Sequence, residues 1–157
     1  MDGINYKELN SNAKTLFEGI NYEISLLSNA SALLNEYLKN VNWVGFYLVK
    51  DNKLILGPFQ GLVACLEIPF NRGVCGACAT KLETVLVEDV HEFPGHIACD
   101  SRSNSEIVIP IFVENNLYGV LDIDSIEFNN FNQNDKENLE EFVRILQHNL
   151  TKLNKEH

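Results

Sequence analysis

The sequence is short of positive charge. Its 157 residues include 12 lysine and arginine against 22 aspartate and glutamate residues, for a formal net charge of −10. Nucleic acids and anionic membrane surfaces are bound by clustered basic side chains, so we expect neither as a partner. No apolar run approaches the roughly 20 residues of a membrane span, and the N-terminus lacks the basic and apolar regions of a signal peptide. We therefore expect a cytoplasmic protein whose thiols are mostly reduced.

Internal repeats, low-complexity tracts and linkers are also missing from the sequence. Apolar residues make up 45% of the chain, which is too much for a disordered protein and enough for a real core. We therefore predict a single domain that spans residues 1–157.

Helical periodicity appears at both ends of the chain. Two helices are predicted first, at residues 6–17 and 21–39, and the second of them places Ile24, Leu27, Leu34 and Leu38 on its buried face. A closing helix is predicted at residues 133–153, with Asn132 as its N-cap. Its predicted buried stripe comprises Leu139, Phe142, Val143, Leu146, Leu150 and Leu153.

Short apolar runs between these helices predict strands joined by tight turns. A first hairpin pairs residues 43–49 with a strand that starts at 54–56 and that Pro58 and Gly61 should end. Further strands are predicted at 63–68 and 84–87, separated by a short helix at 74–81, and a second hairpin pairs 107–113 with 117–123. The predicted fold class is α+β, a central antiparallel sheet of about six strands packed by N-terminal and C-terminal helices.

Four cysteines lie close together in the sequence, at Cys65, Cys75, Cys78 and Cys99. In a reducing compartment this number suggests catalysis, redox cycling or metal binding more than a structural framework. Cys75 follows a turn that opens a helix, where free amides and the helix dipole favour a thiolate. Cys78 lies one turn further on, and we interpret it as a small buried apolar residue in preference to half of a redox or zinc motif.

Cys99 lies in the long irregular segment at residues 89–105, near His91 and His96. A loop cysteine close to potential bases is a candidate nucleophile. A surface cysteine without a role fits the same pattern equally well.

Acidic and aromatic residues mark a second candidate site. Asp122 and Asp124 alternate with apolar residues, so period two places both on one face of a strand. A solvated face is the ordinary explanation, whereas a face over a pocket would bind a cation. Trp43 and Tyr47 also share a strand face, and core packing alone would account for them.

Together these segments resemble the free methionine-(R)-sulfoxide reductases, which are single GAF-type domains. A generic GAF domain would share the sheet but not the three spaced cysteines of this family, which fall on Cys65, Cys75 and Cys99. Cys78 has no counterpart in the family pattern. The motifs that carry the resemblance are Trp43-Val44-Gly45-Phe46-Tyr47, Gly57-Pro58-Phe59-Gln60-Gly61, Gly73-Val74-Cys75-Gly76, Asp89-Val90-His91, Gly95-His96-Ile97-Ala98-Cys99-Asp100, Ser103-Asn104-Ser105-Glu106-Ile107 and Gly119-Val120-Leu121-Asp122-Ile123-Asp124-Ser125.

The resemblance implies that a cysteine reduces free methionine sulfoxide through sulfenic acid and disulfide intermediates, and that thioredoxin or a similar thiol reductant recycles the enzyme. Cys99 is the preferred nucleophile, Cys65 its resolving partner through a Cys65–Cys99 disulfide, Cys75 the rival nucleophile and Glu106 the proton donor. We expect residues 89–105 to move as a lid while a strand holds Cys65.

The same resemblance implies an ammonium site and an apolar wall around the substrate. The substrate-binding residues it implies are Trp43, Tyr47, Glu106, Asp122 and Asp124. No metal or other cofactor is expected, and a homodimer is compatible with the sequence. Two alternatives stay open: a GAF sensor or binding module for a small molecule, and a zinc-bound redox switch.

Overall fold

A computed structural model describes residues 1–96 and 99–156 of the chain. The helices are α1 (Tyr6–Glu18), α2 (Glu23–Tyr37), α3 (Gly73–Lys81) and α4 (Gln133–Glu156), with a 3-10 turn at Val90–Glu92. The strands are β1 (Val41–Lys50), β2 (Lys53–Gly61), β3 (Glu67–Pro69), β4 (Val85–Val87), β5 (Ser105–Val113) and β6 (Asn116–Ser125). They form one antiparallel sheet in the order β3-β2-β1-β6-β5-β4, which confirms the predicted α+β fold. None of the helices in the described ranges has the length and apolar character needed to cross a membrane.

The two faces of the sheet carry different layers. Alternation along β1 sends Val44 and Phe46 to one face, where they join the core formed with α1, α2 and α4. Trp43 and Tyr47 point to the opposite face, where α3 packs with its buried Cys75 and Cys78. The first face therefore holds the main hydrophobic core, and the second holds most of the residues singled out by the sequence.

Tight turns fix the register of the sheet. Asp51 and Asn52 both have positive φ, as a type I′ hairpin requires, and they join β1 to β2. Glu114 and Asn115 do the same between β5 and β6. Each two-residue turn sets the pairing of the residues next to it, and a register shift of one residue further along each hairpin sets the pairing of the rest.

The prediction that Pro58 and Gly61 end the second strand is wrong, because β2 continues through both to Gly61. The register with β1 shifts by one residue between Gly45 and Tyr47, so β2 carries an extra residue near Pro58. Such a bulge leaves one residue outside the ladder, which accommodates a proline that has no N–H to donate.

The strand predicted at residues 63–68 is also mostly absent, since β3 covers Glu67–Pro69 alone. The preceding residues form a loop that exposes Val63 and contains Cys65. Carbonyl groups in this loop are satisfied outside the ladder, by the Trp43 Nε1–H at Leu62 and by the Tyr47 hydroxyl at Cys65. Cys65 is therefore not fixed by a strand, contrary to our expectation.

The helix predictions hold in outline, with one misplaced residue. Ile24 is 70% exposed, while the buried stripe of α2 comprises Leu26, Leu27, Ala30, Leu33 and Leu34. At about 100° per residue, Ile24 points roughly 120° away from the centre of that stripe. The predicted stripe of α4 is buried throughout, and the side chain of Asn132 caps the helix by accepting a hydrogen bond from the Asp135 N–H at 2.9 Å. This helix ends at Glu156, beyond the predicted end at residue 153.

Candidate active site

A pocket opens on the α3 side of the sheet and encloses about 500 Å³ of space between atoms, part of it open to solvent. It lies where β1, β5 and β6 meet the N-terminus of α3, and the loops around residues 63 and 99 close it. Its lining residues are Trp43, Tyr47, Val63, Ala64, Ile68, Gly73, Val74, Cys75, His96, Cys99, Asp100, Ser103, Glu106, Asp122 and Asp124. The structure thus brings together all of the predicted site residues except Cys65, whose disulfide joins it to the wall of the pocket.

Strand register places three carboxyl side chains side by side. Glu106 on β5 faces Asp124 on β6 directly, and Asp122 lies on the same face of β6, two residues before Asp124. Directly opposed residues on neighbouring strands have Cβ atoms roughly 5 Å apart. Trp43 is the β1 partner of Asp124, so the acidic group and the aromatic wall belong to adjoining strands.

The environment of these carboxyl groups disfavours their charged forms. Glu106 and Asp122 are 7% and 5% exposed, and Asp122 Oδ1 and Asp124 Oδ1 are buried without a hydrogen-bond partner in residues 1–96 and 99–156. None of the ion pairs among the described residues involves any of the three. Burial and then mutual repulsion raise the pKa of each well above its ordinary value. The cluster therefore either retains protons or requires a cation.

The aromatic wall is tightly packed and also supports the loop of Cys65. The Trp43 ring stacks between Tyr47, with centroids 5.7 Å apart, and Phe59, at 5.1 Å. Gly45 makes this possible, since a Cβ at that position would collide with Phe59. The polar ends of Trp43 and Tyr47 donate hydrogen bonds to the Leu62 and Cys65 carbonyls at 3.2 and 2.9 Å. One set of side chains therefore shapes the pocket and positions a cysteine.

Cys65 and Cys99 form a disulfide with their Cα atoms 5.4 Å apart, the pairing that the family resemblance implied. Because Cys65 lies in a loop, both partners are carried by irregular segments. The movement of residues 89–105 between redox states stays a prediction. Ile97 and Ala98, part of the quoted motif, lie outside the described residues.

Cys75 does not have the environment that its position in sequence suggested. It sits in the first turn of α3, but it is only 4% exposed and its Sγ lies 4.0 Å from Glu106 Oε2. Burial raises the pKa of this thiol, and the Asp122 and Glu106 carboxyls raise it further. These effects outweigh a helix dipole worth about 1 kcal/mol or less, so the predicted thiolate is wrong for this state. Cys78 is fully buried, as interpreted.

Asp100 is a pocket residue that the sequence reasoning did not select. Its carboxylate accepts hydrogen bonds from Asn42 Nδ2 at 2.9 Å and from Arg102, and the Arg102 bond is the main reason why its pKa falls to about 2. Asn42 Nδ2 also approaches Ser103 Oγ at 3.1 Å, so β1 holds the segment that follows Cys99. The sequence feature that could have indicated this residue is the spacing of Asp100 two positions before Arg102.

The two histidines near Cys99 differ in position. His96 lines the pocket, and burial lowers its pKa. His91 is exposed and contacts Asn104 Oδ1 through Nε2 at 2.9 Å, away from the pocket lining. One side-chain group could also hold a metal ion, because Cys75, Glu106 and Asp122 each offer a ligand atom within 4.8 Å of the others.

Fold and site define an α+β domain in which buried acids, an aromatic wall and a disulfide surround a pocket of the size that small molecules occupy. Residues 25–150 match the model of the GAF domain family. The chain is 49% identical to the free methionine-R-sulfoxide reductase of Escherichia coli, over 90% of this chain and 86% of that protein. A reduced-form structure of the fRMsr of Staphylococcus aureus superposes with a TM-score of 0.92, at 51% identity and with 95% and 97% of the two chains covered.

A structure from Neisseria meningitidis extends this likeness to a complex. That free methionine-R-sulfoxide reductase, solved with its substrate, superposes with a TM-score of 0.91 at 40% identity, covering 96% of this chain and 90% of that one. The chain belongs to the free methionine-R-sulfoxide reductase family of GAF domains.

Proposed function

We propose that this protein reduces free L-methionine (R)-S-oxide to L-methionine, with Cys99 as nucleophile, Cys65 as resolving cysteine and a thioredoxin-type dithiol as reductant. The observation that carries the proposal is the Cys65–Cys99 disulfide beside a pocket whose buried carboxyls form no ion pair with any described residue. Relatives named as free methionine-R-sulfoxide reductases support the substrate, as do substrate complexes of proteins 50% and 40% identical to this chain.

The proposed reaction starts from the reduced enzyme. The Cys99 thiolate attacks the sulfoxide sulfur, and the sulfoxide oxygen takes up a proton. The oxygen then passes from the substrate sulfur to Cys99 Sγ, the bonds from the substrate sulfur to that oxygen and to Sγ break, and methionine leaves with Cys99 as a sulfenic acid. The Cys65 thiol then attacks that sulfur, a disulfide forms and water leaves. A dithiol donor reduces the disulfide by two exchange steps and is itself oxidised. The balance is one sulfoxide and one dithiol consumed for one methionine, one water and one donor disulfide.

Glu106 is the proposed proton donor to the sulfoxide oxygen. Its burial and the neighbouring Asp124 charge keep a proton on the carboxyl at pH values where an exposed glutamate is ionised. The oxygen leaves sulfur more readily once it carries a proton, so a raised pKa suits this role. Glu106 also reaches the pocket directly, beside the thiol of Cys75.

Asp122 and Asp124 are the proposed partners of the substrate ammonium. Each has one buried oxygen that no described residue hydrogen-bonds, and a charged N–H donor would satisfy it. A methionine sulfoxide within a peptide has an amide at that position and cannot make the pairing. The stacked rings of Trp43 and Tyr47 would then contact the methyl and sulfur end of the substrate.

The test is NADPH oxidation with thioredoxin reductase, thioredoxin and free methionine sulfoxide, with the two sulfur epimers supplied separately. We expect turnover of the R epimer and none with Cys99→Ser. Cys78→Ala is the matched control, since that cysteine is buried in the same region, does not line the pocket and should leave turnover within a few-fold. Tight binding of a small molecule without any turnover would contradict the proposal and favour a GAF binding module.

A further inference from the structure

Three potential metal ligands converge at the base of the pocket from three separate elements. Cys75 comes from α3, Glu106 from β5 and Asp122 from β6, and all three are buried. One ligand atom from each lies within 4.8 Å of the other two, and Cys75 Sγ is 4.0 Å from Glu106 Oε2. We name these residues the Cys75 site.

A further observation at this site points to a ligand. Asp122 is 95% buried and lines the pocket, and its Oδ1 is shielded from solvent and has no hydrogen-bond partner among the residues that the structure describes. Leaving a buried acceptor unpaired destabilises the folded state. Within residues 1–96 and 99–156, the ion pairs leave the Cys75 site without a counter-charge. A cation would remove that cost.

The donor set selects the kind of cation. Thiolate with carboxylate favours a thiophilic divalent ion such as Zn²⁺ over Mg²⁺ or Ca²⁺, which prefer oxygen alone. Tetrahedral zinc with bonds of about 2.3 Å to sulfur and 2.0 Å to oxygen places those atoms about 3.5 Å apart. The observed distance of 4.0 Å between Cys75 Sγ and Glu106 Oε2 therefore needs only a small side-chain adjustment to reach this value. Three protein ligands leave a fourth position for water.

We propose that the Cys75 site binds one thiophilic divalent cation such as Zn²⁺, and that this cation and the free amino acid exclude each other. The exclusion rests on the proposed function, because Asp122 and Glu106 would serve both. Binding displaces the Cys75 proton and any proton on the two carboxyls into solvent, so affinity rises with pH. The step involves no oxidation or reduction. The cation is an inhibitory ligand, in keeping with the expectation that catalysis requires none.

Cys65 and Cys99 are not members of the site, which allows a selective test. In the oxidised protein the disulfide occupies both thiols, so Cys75 and Cys78 are the remaining ones. We would titrate this oxidised protein with Co²⁺, whose thiolate complexes absorb in the near ultraviolet. We expect one cobalt per chain, a thiolate-to-cobalt band, release of protons, and displacement of cobalt by Zn²⁺.

Three variants identify the side chains that are responsible for the thiolate-to-cobalt band. Cys75→Ser should abolish it, Asp122→Asn should weaken cobalt affinity about 100-fold or more, and Cys78→Ala should leave it unchanged. Circular dichroism confirms that each variant is folded, and Asp122→Asn keeps the test open should Cys75→Ser not fold. The proposal is overturned by a wild-type protein without the band, by a band that persists in Cys75→Ser, or by its loss in Cys78→Ala.

Mutual exclusion is tested separately, in a Cys65→Ser/Cys99→Ser protein that cannot turn over the substrate. Added free methionine sulfoxide should lower the cobalt band, while the N-acetylated sulfoxide should not. A band that free sulfoxide leaves unchanged contradicts the exclusion. Absence of any cobalt band in a wild-type protein that still reduces methionine sulfoxide would overturn the metal site and leave the proposed function standing.

Discussion

Two buried acidic sites of this protein differ in how their charges are satisfied. Asp135 at the start of α4 is fully buried, yet its carboxylate accepts hydrogen bonds from the Met1 amino group at 2.6 Å, the Tyr6 hydroxyl at 2.6 Å and the Asn132 N–H at 2.9 Å. Within the described ranges, the pocket acids have two buried oxygens without a hydrogen-bond partner and form no ion pair.

The difference separates stability from function. The partners of Asp135 come from the N-terminal segment, α1 and the α4 cap, so this residue ties Met1 and α1 to the start of α4. Removing one member of such a buried pair leaves an unpaired charge. The pocket acids have the opposite property: they are left unsatisfied by the fold and are free to pair with a ligand. Substitution should therefore harm stability at the first site and activity at the second.

The largest effect is expected from Glu106→Gln. The amide keeps the shape of the side chain but cannot protonate the sulfoxide oxygen, and general acid catalysis contributes about 10²–10⁴-fold. We expect a loss of that size in the single-turnover rate. Thermal stability should not fall, because the substitution removes a buried acidic group whose charged form the fold disfavours. Glu67→Gln is the control, since Glu67 pairs with Lys53 on the exposed surface. A near wild-type single-turnover rate for Glu106→Gln would place the acid elsewhere.

Asp135→Asn should produce the mirror-image result. Breaking a buried, hydrogen-bonded ion pair costs about 3–5 kcal/mol, and one kcal/mol shifts Tm by roughly 2–4 °C in a chain of this size. We therefore expect Tm to fall by about 6–20 °C, with the activity of the folded protein unchanged well below that temperature. Asp2→Asn, an exposed change in the same terminal segment, should leave Tm unaffected. Equal Tm values for the two variants would remove the contrast between the acidic sites.

Asp124→Asn should act on binding rather than on chemistry. A hydrogen bond between charged groups contributes about 1.5–3 kcal/mol, which corresponds to a rise in KM of about 10- to 150-fold for free methionine sulfoxide. The N-acetylated sulfoxide has no ammonium group, so its slow turnover should not depend on Asp124. If both substrates lose the same factor, Asp124 does not recognise the ammonium.

The sequence predicted one of these acidic sites and missed the other, for a physical reason. Alternation along a strand is a local property, and it placed Asp122 and Asp124 on one face correctly. Asp135 was visible only as an acidic residue in a first helical turn. Its partner Met1 lies 134 residues away in sequence, and no local pattern encodes that contact.

Errors elsewhere follow the same division between local and distant causes. Pro58 predicts a strand end by its own chemistry, but the register with β1 supplies a bulge that tolerates it. Cys75 predicts a thiolate from its helix position, whereas strands distant in sequence surround it with carboxyls. Asp100 has a local partner in Arg102, but the bond that ties it to β1 comes from Asn42, 58 residues earlier. Strand periodicity, turn residues and helix caps were predictable, and the electrostatic environment of the site was not.

The smallest expected effect is on the pH dependence of stability. An aspartate in the unfolded chain has a pKa near 4, while burial and neighbouring carboxyls raise the pKa of Asp122 in the folded state. Between those values the folded state binds more protons, so this contribution to stability is full below about pH 4 and is lost as pH rises. Asp122→Asn removes it, and the Tm of the variant relative to wild type should climb from pH 4 to pH 8.

Asp100 provides the matched contrast, because its Arg102 hydrogen bond lowers its pKa to about 2. Its contribution is present above about pH 4 and is lost as pH falls toward 2. The Tm deficit of Asp100→Asn relative to wild type should therefore be constant at neutral pH and shrink in acid, the reverse of the Asp122→Asn curve. The measurement is the Tm of the wild type, Asp122→Asn and Asp100→Asn proteins across one pH series. Parallel curves for both variants would mean that the two carboxyls have the same protonation state in the folded protein, against the assignment of a protonated cluster beside an ionised Asp100.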